Sequence, residues 1–116
     1  EMQKQEEREK EIIDEDGIYT VVDQEPEVKG GLASLTKEAD YPAQARRQEV
    51  EGRVYIEAVV NGDGTVRDAR VIRGLGAGAD KEALRVVKDA EFIPGKYNGE
   101  NVPARKTVWI QFQLQR

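Results

Sequence analysis

"RVYIEAVVNGDGTVRDARVIR", residues Arg53–Arg73, decides the fold. Val54, Ile56, Ala58 and Val60 alternate with Arg53, Tyr55, Glu57 and Val59, the period of two of a strand with one apolar face. "NGDG", Asn61–Gly64, supplies residues that tolerate positive φ, as a tight hairpin turn needs. The return strand changes parity, since Val66 lies on one side of the alternation and Ala69 and Val71 on the other. A bulge near Arg67–Asp68 reconciles them.

Downstream, "GLGAGAD" (Gly74–Asp80) is a loop, with Asp80 placed to cap the helix "KEALRVVKDA". Ala83, Leu84, Val87 and Ala90 form its apolar stripe, opposed by Lys81, Glu82, Arg85, Lys88 and Asp89. "FIPGKYNGENVP" is broken by Pro94, Gly95, Gly99 and Pro103. The last ten residues, "TVWIQFQLQR", alternate again: Val108, Ile110, Phe112 and Leu114 against Trp109, Gln111, Gln113 and Gln115. The order is hairpin, helix, strand. A helix crossing one face returns the last strand antiparallel to the first hairpin strand. Beside the second hairpin strand, that last strand would make a parallel pair; the expected arrangement is the split one, antiparallel and three-stranded, in the order second, first, last, and roofed by the helix on one face. Thr107–Gln115 is then an outside strand with an unpaired edge. The fold class is a small α+β domain.

Upstream, "DYPAQARRQE" carries Pro42 at the first turn of a helix and is closed by Gly52; "LASLTKE" is a shorter helix after the break "EPEVKGG". "GIYTVVDQ", Gly17–Gln24, has the apolar content of a short strand. Glu1–Asp16 holds eight acidic and three basic residues, which accounts for the whole net charge of -5. We read residues 1–16 as a charged linker remnant and residues 17–116 as one domain. Numbering from Glu1 suggests an excised piece, with any anchor upstream. The near-neutral domain has no basic footprint for nucleic acid and no polybasic membrane patch.

The chain has no cysteine and no histidine, which removes thiol nucleophiles, His-based triads and thiolate or imidazole metal sites. Asn61, Asp63 and Asp68 lack the distal glutamate of a calcium loop. The glycines of "GLGAG" do not match a phosphate-loop spacing, and no Lys-Ser/Thr follows. Glu49, Glu51 and Glu57, or Asp80 with Glu82, have no companion nucleophile and read as solvated faces. No enzyme and no cofactor is expected. Trp109, the only tryptophan, lies on the polar parity of the last strand. It is either covered by the N-terminal segment or exposed at a recognition site.

Tyr41-Pro42 with Ala45, Glu51-Gly52 into a strand, Asp63-Gly64-x-Val66, "DKEAL" (Asp80–Leu84), "PGK" (Pro94–Lys96) with Asn98-Gly99, and the closing alternating strand occur in this order. Together they resemble the TonB C-terminal domain family over about Tyr41–Leu114, and "VDQEPEVKGG" is similar to the lead-in of Bacteroidetes-type members. Phe92 stands where many members have Trp, and Gln44 where some have a partner-holding Arg. The resemblance implies a periplasmic domain at the end of an inner-membrane-anchored protein, driven by an ExbB/ExbD-type motor. Such a domain binds the TonB box of an outer-membrane transporter as an added strand and transmits proton-motive energy to it. By position it implies partner-binding residues Thr107, Val108, Trp109, Ile110, Gln111, Phe112 and Gln113, with Gln44 beside them. Six or so backbone bonds at a net ~1 kcal/mol each, plus some apolar contact and opposed by the cost of ordering a peptide, suggest a roughly micromolar dissociation constant, about -8 kcal/mol. Two alternatives stay open: a related module reused without a motor, and a homodimer in which the edge pairs with its own copy.

Overall fold

The computed structural model describes residues 12–115. In chain order it has β1 (Glu27–Val28), α1 (Leu32–Glu38), α2 (Ala43–Arg47), β2 (Gly52–Val60), β3 (Val66–Arg73) and α3 (Ala79–Asp89). Then come β4 (Phe92–Ile93), β5 (Gly95–Tyr97), β6 (Glu100–Val102) and β7 (Ala104–Phe112). The central sheet has the order β3-β2-β7, antiparallel throughout, the split arrangement expected in preference to a parallel pair beside the second hairpin strand. Short pairs β1–β4 and β5–β6 flank it.

The two seams of that sheet differ. β2 and β7 pair without a register shift from Gly52↔Phe112 to Val60↔Ala104. Between β2 and β3 the register slips twice. Val59 faces Asp68 while Val60 faces Val66, so Arg67 is the extra residue, where a bulge was expected. Tyr55 faces Arg73 while Ile56 faces Val71, so Ile72 is a second extra residue and is 52% exposed. The hairpin turn closes with Gly64 N–H to Asn61 O (2.9 Å) and Asn61 N–H to Thr65 O (2.8 Å). Gly64, at φ +89°, is also approached from below: a Cβ there would lie 2.2 Å from Phe92 O, and Phe92 N–H donates to Gly64 O. Only glycine fits.

Val54, Ile56, Ala58 and Val60 of β2 meet Val108, Ile110 and Phe112 of β7 on the helix-covered face, with Phe92 and Leu35 closing the core. A fully buried aliphatic side chain contributes about 1.5–3 kcal/mol here. From α3 the buried residues are Ala79, Ala83, Val86 and Val87. The stripe is thus centred one turn-step from the expected one, with Leu84 at its half-buried flank.

Several local expectations are corrected. Gly78, not Asp80, is the N-cap of α3. Asp80 sits inside the first turn, and its Oδ1 accepts the Leu75 and Gly76 N–H groups of the preceding loop. Pro42 is the N-cap of α2 rather than its first residue, and Gly52 opens β2 instead of merely ending a helical unit. Gly17–Gln24 forms no strand. Its backbone partners belong to different segments: Tyr19 bridges Ile13 and Ala104, and Gln24 bridges Lys96. A ladder needs one partner strand, so none forms. The linker expected over residues 1–16 falls mainly outside the described residues; 12–16 fold onto the domain, with Thr20 N–H donating to Ile12 O (2.7 Å). No described helix is long and apolar enough to cross a membrane.

Candidate functional site: the open edge of β7

In an antiparallel ladder, residues alternate between pointing both backbone groups at the partner and pointing both away. The Gln111 N–H donates to Thr36 Oγ1 (3.2 Å), on the side away from β2. With no register shift along β7, Arg105, Thr107 and Trp109 share that outward parity. Pro103 confirms it from the other end, its carbonyl accepting the Tyr19 N–H at 2.9 Å. Val108, Ile110 and Phe112 turn inward in both respects: their backbone faces β2 and their side chains are buried in the core.

The edge is therefore occupied at both ends. Tyr19 pairs beside Ala104 at one, and α1 lies against the strand at the other through Thr36. Between them Thr107 and Trp109 present their N–H and C=O groups, and among the described residues no backbone partner for them lies outside the sheet.

The sheet face opposite α3 is likewise divided. At its hairpin-turn end, Asp14 Oδ2 binds Arg105 (2.7 Å), Arg105 stands 3.9 Å from Glu57, and Glu57 pairs with Arg70 (3.2 Å). The Arg105 guanidinium, then the Ile18 N–H, hold the Asp14 carboxyl below the usual carboxylate range. On the helix-covered face, which it shares by alternation with Ala104 and Val108, Lys106 pairs with Glu25 (2.9 Å). At the other end of the face opposite α3 the Arg53 guanidinium lies over the Trp109 ring at 4.8 Å while its Nε donates to Gln111 Oε1 (3.0 Å), and Tyr55 tilts against Trp109 at 6.1 Å. Trp109 is thus half-covered by Arg53 and Tyr55; the described N-terminal segment binds further along, at Pro103–Lys106.

Beyond Gln111 the edge opens into a cleft of about 710 Å³. Thr36 and Ala39 form one wall, Tyr41, Arg46 and Glu49 the base, and Gln111–Gln115 the other wall. Arg46 rides on the Tyr41 ring at 5.7 Å, and the Tyr41 hydroxyl donates to Val50 O.

The structure brings Thr107, Trp109 and Gln111 together on the edge and its wet face, and puts Gln113 just past the strand in the cleft wall. Val108 and Ile110 belong to the core and present neither side chain nor backbone to a partner, whereas Phe112, also buried, borders the cleft. Gln44 is exposed on α2 and does not line the cleft; Arg46, two residues on, does. Thr36 and Tyr19 were missed. Their contacts with β7 span most of the chain, and a threonine within "LASLTKE" carries no local sign of such a role.

The discarded chemistries find physical explanations. Asp63 Oδ1 is spent on the Thr65 hydroxyl and N–H, bonds that hold its carboxyl low, the hydroxyl first. Among the described residues no acidic group gathers into a metal site. In the "GLGAG" loop the Leu75 and Gly76 amides are taken by Asp80 Oδ1. Glu57 and Glu82 are ion-paired, and Glu51 accepts the Leu114 N–H.

These features define a small α+β domain built around an open three-stranded sheet with its carboxyl-terminal strand at the edge. Residues 37–114 match the family described as Gram-negative bacterial TonB protein C-terminal, and the chain belongs to that family. Among solved structures, the TonB C-terminal domain of Helicobacter pylori (residues 194–285) superposes with a TM-score of 0.57 at 22% identity, covering 73% of this chain and 90% of that one. At that identity the likeness is one of fold. The TonB C-terminal domain of Pseudomonas aeruginosa matches at 25% identity, TM-score 0.48, covering 67% of this chain and 82% of that one. No curated protein matches.

Proposed function

We propose that the domain is the periplasmic end of an inner-membrane-anchored energy transducer, and that it binds the TonB box of an outer-membrane transporter along β7. An ExbB/ExbD-type motor, engaged by upstream chain, would supply the proton-motive energy. Family membership supports this reading, and one observation carries it: an unbroken edge strand whose middle, Thr107–Trp109, offers unpaired backbone groups. A peptide adding there gains backbone bonds for affinity and reads side chains on alternate positions.

The geometry shortens the interaction that the bare sequence suggested. With Tyr19 and Thr36 in place, Thr107 and Trp109 offer four backbone groups, and Arg105 and Gln111 add only their outward carbonyls. At a net ~1 kcal/mol each, four to six such bonds alone correspond to about 1 mM to 40 µM, and contact against Trp109 in excess of the ordering cost brings the expected dissociation constant to about 10–100 µM. That is a joint made and broken repeatedly.

The test uses synthetic peptides copied from the periplasm-facing N-terminal segments of outer-membrane transporters of the source bacterium. They are titrated calorimetrically into the wild type and Thr107→Pro. Proline deletes an outward donor that the fold does not use, so binding should weaken at least about tenfold while the unfolding midpoint stays close to wild type. Equal affinity in both proteins removes the edge from the reading. Proline at Gln111 is the poorer probe, because that amide already serves Thr36.

A further inference from the structure

The open stretch of β7 stops at Gln111, and a single side chain stops it. Thr36 Oγ1 sits 3.2 Å from the Gln111 nitrogen, on the outward side, where the carbonyl of an added strand would have to lie. We infer that Thr36 is a specificity-determining residue of the edge: with α1 behind it, it fixes where a partner strand must end. This rests on the strand-addition reading above and sharpens it.

An amide has one hydrogen to give, so hydroxyl and incoming carbonyl compete for the same bond. The hydroxyl has the advantage of attachment, because α1 is anchored along its length. Leu35, the neighbouring residue, is 2% exposed within the main core. After α1, the Asp40 N–H donates to Glu82 Oε2 (2.6 Å), and Arg85 reaches Glu38 O (3.4 Å). In its first turn, the Ser34 hydroxyl ties back to Gly31 O (2.7 Å) and Lys29 O (3.1 Å). A partner therefore meets α1 as a wall and not as a lid.

Tyr19 bounds the other end through Pro103. The window between the two stops, Arg105 and Gln111, leaves Lys106–Ile110 of β7 and accepts about five partner residues at ~3.3 Å each. A longer partner has to leave the plane of the sheet at Gln111. The space it enters is the 710 Å³ cleft, of which Thr36 is itself a wall. Partner residues in the window are thus held by backbone bonds, and the next ones are read by side chains such as Tyr41, Arg46 and Gln113.

The experiment takes transporter-derived peptides nested from four to nine residues and titrates them into ¹⁵N-labelled wild type, Thr36→Ala and Thr36→Ser. In the wild type the Thr107 and Trp109 amides should shift and gain exchange protection. The Gln111 amide should stay as it is in the free protein. In Thr36→Ala the Gln111 donor is released, so the longer peptides should tighten about fivefold and protect Gln111 too, the effect of one extra net bond. Thr36→Ser keeps the acceptor and should behave as wild type. Without any peptide, Gln111 exchange should be faster in Thr36→Ala and Thr36→Val and unchanged in Thr36→Ser. Wild-type protein that protects Gln111 on binding, or a Thr36→Ala that gains nothing, overturns the stop while leaving strand addition intact. No response at Thr107 or Trp109 to any peptide in any variant overturns strand addition itself.

Discussion

β3 and β7 are the two outer strands of one sheet, and their free edges are protected by different means. β3 is closed by its own sequence. Extra residues at Arg67 and Ile72 bend it, and Arg67, Asp68, Arg70 and Arg73 stand exposed along it. Bulges and charges are the usual defences of an edge against a second chain. β7 has neither in its centre: nine consecutive pairs run without a shift, and Thr107–Gln113 carries no charge. Its charged residues, Arg105 and Lys106, lie at the end where Asp14 and Glu25 pair with them. The protection of β7 comes instead from distant segments, Tyr19 and Thr36, that cover its ends. Sequence-encoded protection covers an entire edge, whereas protection by tertiary contact leaves a gap, and the gap is the candidate site.

The largest contrast between the strands should appear on cutting an isoleucine from each. Ile110 is fully buried beneath β7, and Ile72 is 52% exposed on β3. Ile110→Ala should cost about 3 kcal/mol in chemical denaturation, within the usual range for a buried large-to-alanine change. Ile72→Ala should stay within about 0.5 kcal/mol. A comparable loss at both would mean that Ile72 packs against something and that the bulge does not turn it outward. A smaller effect is expected from stripping the charges that guard β3. Arg70→Thr with Arg73→Thr leaves a more strand-like, neutral edge and should raise self-association about tenfold in sedimentation. If the mass stays that of the parent at all concentrations, the two bulges suffice by themselves.

How much of this was readable beforehand follows from the range of each interaction. The hairpin, the Arg67 bulge, the α1 segment and the strand order are set by patterns within a few residues or by the handedness of one crossing, and the sequence carries them openly. The Ile72 bulge was hidden because an isoleucine between Val71 and Arg73 looks like strand interior. The open edge was legible from alternation together with the order of elements; its length was not. Thr36 and Tyr19 reach β7 across most of the chain, and no local periodicity reports such a contact. For the same reason the core-facing Val108, Ile110 and Phe112 could be assigned to the edge by position, although only alternate residues of an edge strand are available to a partner.

The smallest effect concerns the cover at the Arg105 end, and acid should loosen it. Asp14 bonds Arg105 at 2.7 Å and also accepts the Asp16 and Ile18 N–H groups, forming the turn from which Tyr19 reaches β7. These bonds favour the carboxylate, so its folded pKa lies below the ordinary 3.8. The unfolded segment then binds the proton more readily than the folded one, and the stabilisation is complete above about pH 4 and is lost as pH falls through the depressed folded value. Glu57 faces the same guanidinium at 3.9 Å, and its pairing with Arg70 leaves it a weaker substitute. Exchange of the Tyr19 amide, whose bond to Pro103 O marks that end of the window, should therefore quicken below about pH 4, corrected for intrinsic rates, before the β2–β7 amides respond. Asp14→Asn keeps an oxygen for the turn but has no charge for Arg105, and its Tyr19 exchange should be faster at neutral pH and nearly flat with acid. A wild-type profile as flat as that of Asp14→Asn would show that the Tyr19 cover does not depend on the ion pair, leaving both ends of β7 held by neutral contacts alone.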